Sequence, residues 1–453
     1  MPCALEIIPQ DDSKIQELIA NIKQAKTLTM IIIYAFALVC SLTIELVQEV
    51  LLERADQPCH WPKCPKCGAR IGNKGREKRQ IKSVIGIIRW KRKVGTCPNG
   101  CDIGQVAPLD DELGIGPNQR VCNDLKRVAC ALAVFVPYEI ASVLLFLATK
   151  VKVSPMAIWN WVQESGSKAK KALEAELAAL QEGHLVEPEE IEEDVAQMPL
   201  IIGGDGVNVP LRPCGSSPEG KTDWREVKVG VFARLYRYIN KKGKDVTRLL
   251  KRRLVAVLGN KDDFGLRMEL ESKKQDIENT ETVVWISDGG RGFWSIFHVI
   301  FAAHAIGILD FYHAAQNLWK AAAALLDGRT KAAREWFDKA RHQLRHGEID
   351  SLLTELFEIL HSCKDSMDED SWKVVYNCYE YLNTHLEHLQ YPLFKESLQL
   401  PIGSGMVESA CKWLIQQRFK CVGMRWSRWG FNNLLHLRLA WVNERFDEIF
   451  NCE

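Results

Sequence analysis

The chain has 453 residues, enough for two to four domains, and 47% of them are apolar, enough to bury ordinary cores. Its formal charge of +1 excludes a uniformly basic or acidic polyelectrolyte but conceals an uneven distribution along the sequence. The fifteen cysteines are an odd number, several stand singly in apolar stretches (Cys40, Cys130, Cys411), and no signal-like segment precedes them. A reducing cytoplasm therefore fits better than secretion on a disulfide framework.

Residues 1–55 read as a helical segment too apolar to be solvated on every side. The longest apolar run, Met30 to Ile44, stops at Glu45, short of the roughly 20 residues of a membrane span. It is expected to be a buried or interfacial helix, docked on something such as a second copy, with no membrane partner.

Residues 56–107 change character, with Pro, Gly and Cys punctuating β-type runs such as Ser83–Trp90. Cys64-Pro-Lys-Cys67 and Cys97-Pro-Asn-Gly-Cys101 are separated by 29 residues. Two close thiol pairs brought together by a β segment suit one tetrahedral, structural Zn2+, so a zinc ribbon is expected. Between Lys63 and Lys93 stand twelve Lys or Arg against one acid, Glu77. Lys74, Arg76, Lys78, Arg79, Lys91, Arg92 and Lys93 are thus candidate contacts to the phosphates of double-stranded DNA.

Residues 108–186 return to helix. One helix from about Tyr138, a turn at Lys150–Val153 and a second helix, N-capped by Ser154 with Pro155 at its first position, have helix-turn-helix proportions. Asn160 and Gln163 are the candidate base readers. Residues 187–198 contain six acids within Glu187–Asp194 and read as a solvated acidic linker.

Residues 199–311 read as the first part of an α/β core, with short strands at Pro199–Gly203, Val227–Leu235, Leu254–Leu258, Val283–Ile286 and Ile306–Leu309. Asp205 and Asp288 each follow one of these strands, where an open α/β sheet places its ligands. Residues 312–400 read as nearly continuous helix. Residues 401–453 add helices opened by Gly403-Ser-Gly405, with Glu408 just inside. Three acids from separate segments could hold two Mg2+ or Mn2+ ions, although each alone also reads as a turn or cap residue. The run Lys241 to Arg253 adds a basic stretch between two strands that could hold further DNA.

Gly204-Asp-Gly206, Ile286-Ser-Asp-Gly289, Ile308-Leu-Asp-Phe-Tyr-His313, Ile402-Gly-Ser-Gly-Met-Val-Glu-Ser-Ala-Cys-Lys412 and Gly423-Met-Arg-Trp-Ser427 occur in that order. With them the chain resembles bacterial insertion-sequence transposases of the ISKra type, in the Mutator-like DDE group. The resemblance implies an α+β multidomain protein: helical segment, zinc ribbon, helix-turn-helix, and a ribonuclease-H-like α/β core with an all-helical insertion. It implies Asp205, Asp288 and Glu408 as the metal-holding catalytic triad and His313 as a fourth site residue, contacting a phosphate or orienting an acid. Lys412 and Arg418, after Glu408, would contact DNA. Element ends and target DNA would be the partners, a homodimer or higher oligomer would join the two ends, and the enzyme would lie with the bacterial nucleoid in the cytoplasm. Two other classes also fit: a non-catalytic regulator binding DNA through ribbon and helix-turn-helix, and a metal-dependent nuclease that cuts without joining.

Overall fold

In the computed structural model, helix α1 (Ser13–Gln24) places Ile15 and Ile19, one turn apart, against Leu38 of helix α2 (Leu28–Asp56). The structure describes residues 13–213, 222–362 and 367–450; the first twelve residues of the expected helical segment lie outside these. Thr27 caps α2, its hydroxyl accepting from the Met30 amide at 3.2 Å. The apolar run is only the first half of a 29-residue helix, most of it exposed, so the expectation of an element too short to span a bilayer does not hold: by length and composition α2 could cross one.

Strands β1 (Gly72–Ser83) and β2 (Gly86–Thr96) form an antiparallel hairpin. The β run expected over Ser83–Trp90 is broken at its start by a tight turn. Gly86 adopts φ +135°, a conformation that L side chains rarely reach, and the Ser83 hydroxyl accepts from the Ile85 amide. Ile81 and Trp90 on one face of the hairpin pack with Ala55 of α2 and Leu109 of α3 (Pro108–Glu112). Helices α4 (Asn123–Phe135) and α5 (Tyr138–Thr149) follow, and Lys150 ends α5 at φ 60°. Ser154 then caps α6 (Pro155–Gln181), accepting from the Ala157 amide.

The chain divides into two compact units, Met1–Val162 with Asp447–Glu453, and Gln163–Phe446, so the division falls inside α6.

In the second unit α7 (Glu193–Ala196) leads to β3 (Leu200–Leu211), β4 (Asp223–Ile239) and β5 (Asp245–Val257). Helix α8 (Lys261–Lys274), β6 (Val283–Ser287), α9 (Arg291–Ile296) and β7 (Ala305–Leu309) come next. The sheet order is β5-β4-β3-β6-β7; the first three strands are antiparallel, and β6 and β7 run parallel to β3. Each predicted strand is present because each carries a buried apolar run; Val283–Ile286 is buried at every position, as a parallel strand covered on both faces must be.

Helices α10 (Phe311–Leu326), α11 (Lys331–His346), α12 (Ile349–Ser362) and α13 (Glu369–Thr384) form a bundle whose apolar faces join the same core as the sheet. The chain returns through α14 (Gly405–Ala410), a π-helical segment Cys411–Gln416, α15 (Gln417–Phe419) and α16 (Arg428–Val442). In the acidic linker one acid differs from its expectation, while Glu187, Glu190, Glu192, Glu193 and Asp194 are exposed. Glu189 is not solvated: its carboxylate pairs with Arg253 and Arg445, which hold its pKa down against burial.

Candidate active site and metal centre

The four cysteines of the ribbon converge. Gly68, just after the first pair at φ +73°, and Gly100, inside the second at φ +69°, turn the backbone, and the Sγ atoms of Cys64, Cys67, Cys97 and Cys101 all lie within 4.8 Å of one another. Among the described residues they form the one group of ligating side chains drawn this close. Among the metal-free thiols, the Ala69 amide and the Cys97 sulfur lower the Cys67 pKa to about 6 while the bonds to Cys67 and Cys97 raise that of Cys101 to about 12, so one sulfur carries charge shared with its neighbours. Cys64 and Cys97 are buried, Cys101 is half-buried and Cys67 is exposed, so the knot at the base of the hairpin has one edge toward solvent. Four sulfur donors with no other ligand atom among them fit a structural zinc.

The alternation of side chains along β1 and β2 sorts the basic residues into two classes. Arg79 and Arg92 lie on the packed face: Arg92 is buried and donates to both oxygens of the buried Asp110 at 3.1 and 2.9 Å, and Arg79 donates to the carbonyls of Gly116 and Pro117. Their expected role as phosphate contacts is corrected, because these guanidiniums are spent on the ribbon's own structure. Arg76 pairs with Asp56, and Lys93 donates to the Asp56 and Gln57 carbonyls. Lys74, Lys78 and Lys91 remain exposed, with Lys78 directly opposite Lys91 in the register. On α6, Asn160 is exposed. Gln163 is 4% exposed and accepts from Asn433 Nδ2 at 3.0 Å, so it cannot read a base.

Asp205 is not at the end of its strand but in the middle of β3, because β4 continues to pair with β3 through Asp223–Val229. Its neighbour across the parallel pair is the end of β6: Gly204 is in register with Ser287, and Asp288 follows immediately. The two carboxylates therefore emerge side by side. Burial and the charge of Asp288 raise the Asp205 pKa, against a 2.6 Å hydrogen bond from the Gly206 amide. Asp288 accepts from the Gly290 amide at 3.0 Å, and the Trp294 indole donates to its backbone carbonyl at 2.6 Å.

Glycine lets two elements close on this edge. A Cβ on Gly203 would stand 2.6 Å from Val407, so α14 sits directly on β3; one on Gly289 would overlap the Tyr381 ring of α13. Glu408, in the first turn of α14, is exposed and lines an open cleft with Asp310, His313 and Gly403. The carboxylates of Asp205, Asp288 and Glu408 are not drawn together as tightly as the cysteine sulfurs.

Asp310 lies within a motif that the sequence displays, yet the sequence alone assigns it no role. It is 2% exposed and caps α10, accepting from the amides of Tyr312 and His313 at 2.7 and 2.9 Å. Its other oxygen accepts from the Ser404 amide and hydroxyl, each at 2.5 Å. Burial opposes its charge, but the bonds from His313 and Ser404 prevail and hold its carboxyl at about 2. The carboxylate thus ties the end of β7 to the loop that opens α14. The signal that could have found it is Asp followed two and three residues later by the free amides of a new helix. His313 stands 3.4 Å from Asp310, which raises its pKa, with the charges of Asp288 and Asp205 adding to the effect. Sequence reasoning also misses the Cys411 thiol beside Asp205; burial, with the Asp205 charge, keeps it protonated.

Lys412 is exposed. Arg418 is 1% exposed with its guanidinium 5.2 Å over the Trp426 ring, so its expected DNA contact is corrected: it packs the C-terminal helices. The predicted basic stretch forms the exposed end of the β4–β5 hairpin. Tyr236 and Tyr238 stack there at 5.6 Å, and Lys241, Lys242, Lys244, Arg248, Lys251 and Arg252 are exposed with no ion pair among the described residues.

No family model matches the chain, and no curated protein matches it. Among solved structures the Drosophila P element transposase strand transfer complex is similar at 10% identity, over 72% of this chain and 92% of that one. The TM-score is 0.29, a likeness too slight to carry an argument about chemistry.

Proposed function

We propose that the chain is a DNA transposase of the ISKra type within the Mutator-like DDE group, cutting and joining DNA with divalent metal held by Asp205, Asp288 and Glu408. The observation that carries the reading is the register of β3 and β6, which sets Asp205 beside Asp288 while Gly203 admits the helix bearing Glu408 to the same strand. Three antiparallel strands continued by two parallel ones support a ribonuclease-H-like core, with α10–α13 as the helical insertion between the second and third acids.

The donor set fits hard, oxygen-seeking cations. Burial, with the Asp288 charge adding to it, raises the Asp205 pKa, and the cleft beside Glu408 is open. Bound Mg2+ or Mn2+ would supply activation of a water or 3′-hydroxyl and charge neutralisation at the scissile phosphate. Asp205 and Asp288, fixed on adjacent strands, hold their oxygens at one edge of the sheet. His313, its imidazolium favoured by Asp310, Asp288 and Asp205, presents positive charge to a phosphate oxygen. Asp310 fixes His313 and the Ser404 loop relative to each other. Lys74, Lys78, Lys91, Asn160 and Lys412, all exposed, are the DNA contacts that this reading retains.

The test is incubation of the purified chain with DNA carrying the flanks of its own gene, in Mg2+ or Mn2+. Joined products from the wild type, and none from Asp288→Asn or Glu408→Gln, are expected. Cleaved ends that never join would make it a nuclease instead. DNA binding unaccompanied by cutting, with Asp205→Ala retaining every biological effect, would make it a regulator.

A further inference from the structure

Helix α2 carries an open seam. Between Tyr34 and Leu51, the large apolar residues that are exposed are Phe36, Val39, Leu46 and Val50. With Ile32 before them and Thr43 between, they recur at spacings of four, three, four, three and four: the a and d positions of successive heptads. Between Leu38 and Ala55 much of the opposite side of the helix is occupied by its own chain, while Leu52 there, and Met30, Ile31 and Ile33 nearer the N-terminus, are exposed off the seam. Leu38 and Ser41 are buried, Leu38 against α1; Gln48 accepts from the Arg89 amide, and Leu51 and Ala55 pack on the ribbon hairpin. Those residues fall at the b, c and f positions, so α1 and the ribbon hold the back of the helix between them and leave the seam from Phe36 to Val50 bare.

We infer that α2 pairs with α2 of a second copy of this chain in a parallel, in-register coiled coil. A 3.5-residue repeat is what one helix needs to stay against another; lipid has no such requirement and would accept an apolar surface without it. Charge is compatible with parallel pairing: Glu49 at g and Arg54 at e of the next heptad would face each other across such a seam, Arg54 then exchanging or sharing the intrachain Glu112 carboxylate that it meets at 3.2 Å. Thr43, the one polar residue at an a position, can be buried there because its hydroxyl already donates to the Val39 carbonyl at 2.8 Å. A parallel pairing places two zinc ribbons at the same end of the coil. The inference stands on the seam and not on the metal-dependent chemistry, so either can fail alone.

The experiment is the mass of the full chain in solution at micromolar concentration, without DNA, by sedimentation equilibrium. Twice the chain mass is expected for the wild type. Val39→Glu with Leu46→Glu, both at exposed positions, should give the single-chain mass with zinc content unchanged. In parallel register Val39→Cys and Leu46→Cys should each form covalent dimers on mild oxidation, well above the wild-type background. A monomeric wild type, a double-glutamate variant that stays dimeric, or cross-linking at neither cysteine would overturn the inference. So would co-flotation of the wild type, but not the double-glutamate variant, with phosphatidylcholine vesicles, which would assign the seam to lipid.

Discussion

The four-cysteine knot and the acid cluster proposed to hold divalent metal are constructed in opposite ways. The knot draws its four ligands from 38 consecutive residues, closed by two short turns and one hairpin, and its sulfurs already meet. The acid cluster draws on the middle of one strand, the end of another and the start of a helix more than 100 residues later; its groups stay apart and its cleft stays open. A closed set of soft ligands serves folding, whereas an open set of hard ligands serves a substrate that must enter. The two centres should therefore fail differently when their ligands are removed.

The largest expected effect is on the knot. Structural zinc supplies on the order of 10 kcal/mol of folding free energy to modules of this kind. Cys64→Ser, or a strong chelator, should release the metal and unfold the hairpin, read by metal analysis and by protease cutting within residues 56–107. Zinc-free protein with an intact, protected hairpin would show that the packing of Ile81 and Trp90 suffices without it.

Asp288→Asn should behave oppositely. It removes a charge that Asp205 feels, so thermal stability without added metal should hold or rise, while strand transfer falls by on the order of 100-fold or more. A variant that loses stability and activity together would mean that Asp288 is a structural turn residue, holding Gly290 and no metal.

The same contrast explains what can be read from sequence. The knot is local, so Cys-x2-Cys and Cys-x3-Cys are legible at once, as are the five strands, whose apolar runs are continuous. Pairing is not local. That Asp205 lies mid-strand depends on how far β4 follows β3, and that Arg92 is buried depends on Asp110 arriving from α3. Gln163 and Arg418 look like ordinary exposed helix residues; Asn433 and Trp426, far along the chain or across a turn, cover them. The length of α2 is hidden for a simpler reason: Glu45 ends an apolar run but does not end a helix.

Asp310 tests how the acid site is held together, with an intermediate effect. Its folded pKa of about 2 lies below the unfolded value of a carboxyl, so its contribution is fully present above about pH 4 and is lost as pH falls through 2. That contribution is about 2 kcal/mol. Asp310→Asn should remove it, flattening acid unfolding between pH 4 and 2 and lowering stability at pH 7 by about that amount. If the acid limb of the unfolding curve is unchanged, the Ser404 contacts do not stabilise the charged form.

The smallest effect is the one that would separate DNA grip from chemistry. The exposed hairpin end carries Lys241, Lys242 and Lys244 beside the stacked Tyr236 and Tyr238. It lies toward the start of β3, since Leu200 pairs with Arg234 whereas Asp205 pairs with Val229. At about 3.3 Å per residue, Tyr236 is roughly 23 Å along the strand from the level of Asp205. DNA leaving the cleft along this edge would reach the tyrosines about 7 base pairs away. Replacing the three lysines with alanine should weaken binding of a longer duplex and reduce its log-log salt slope by up to about 0.9 for each phosphate no longer neutralised. A duplex ending within about 5 base pairs of the cut should be bound as before. Equal weakening on both duplexes would mean that the hairpin lies on no such path and that its charge acts only as a general field.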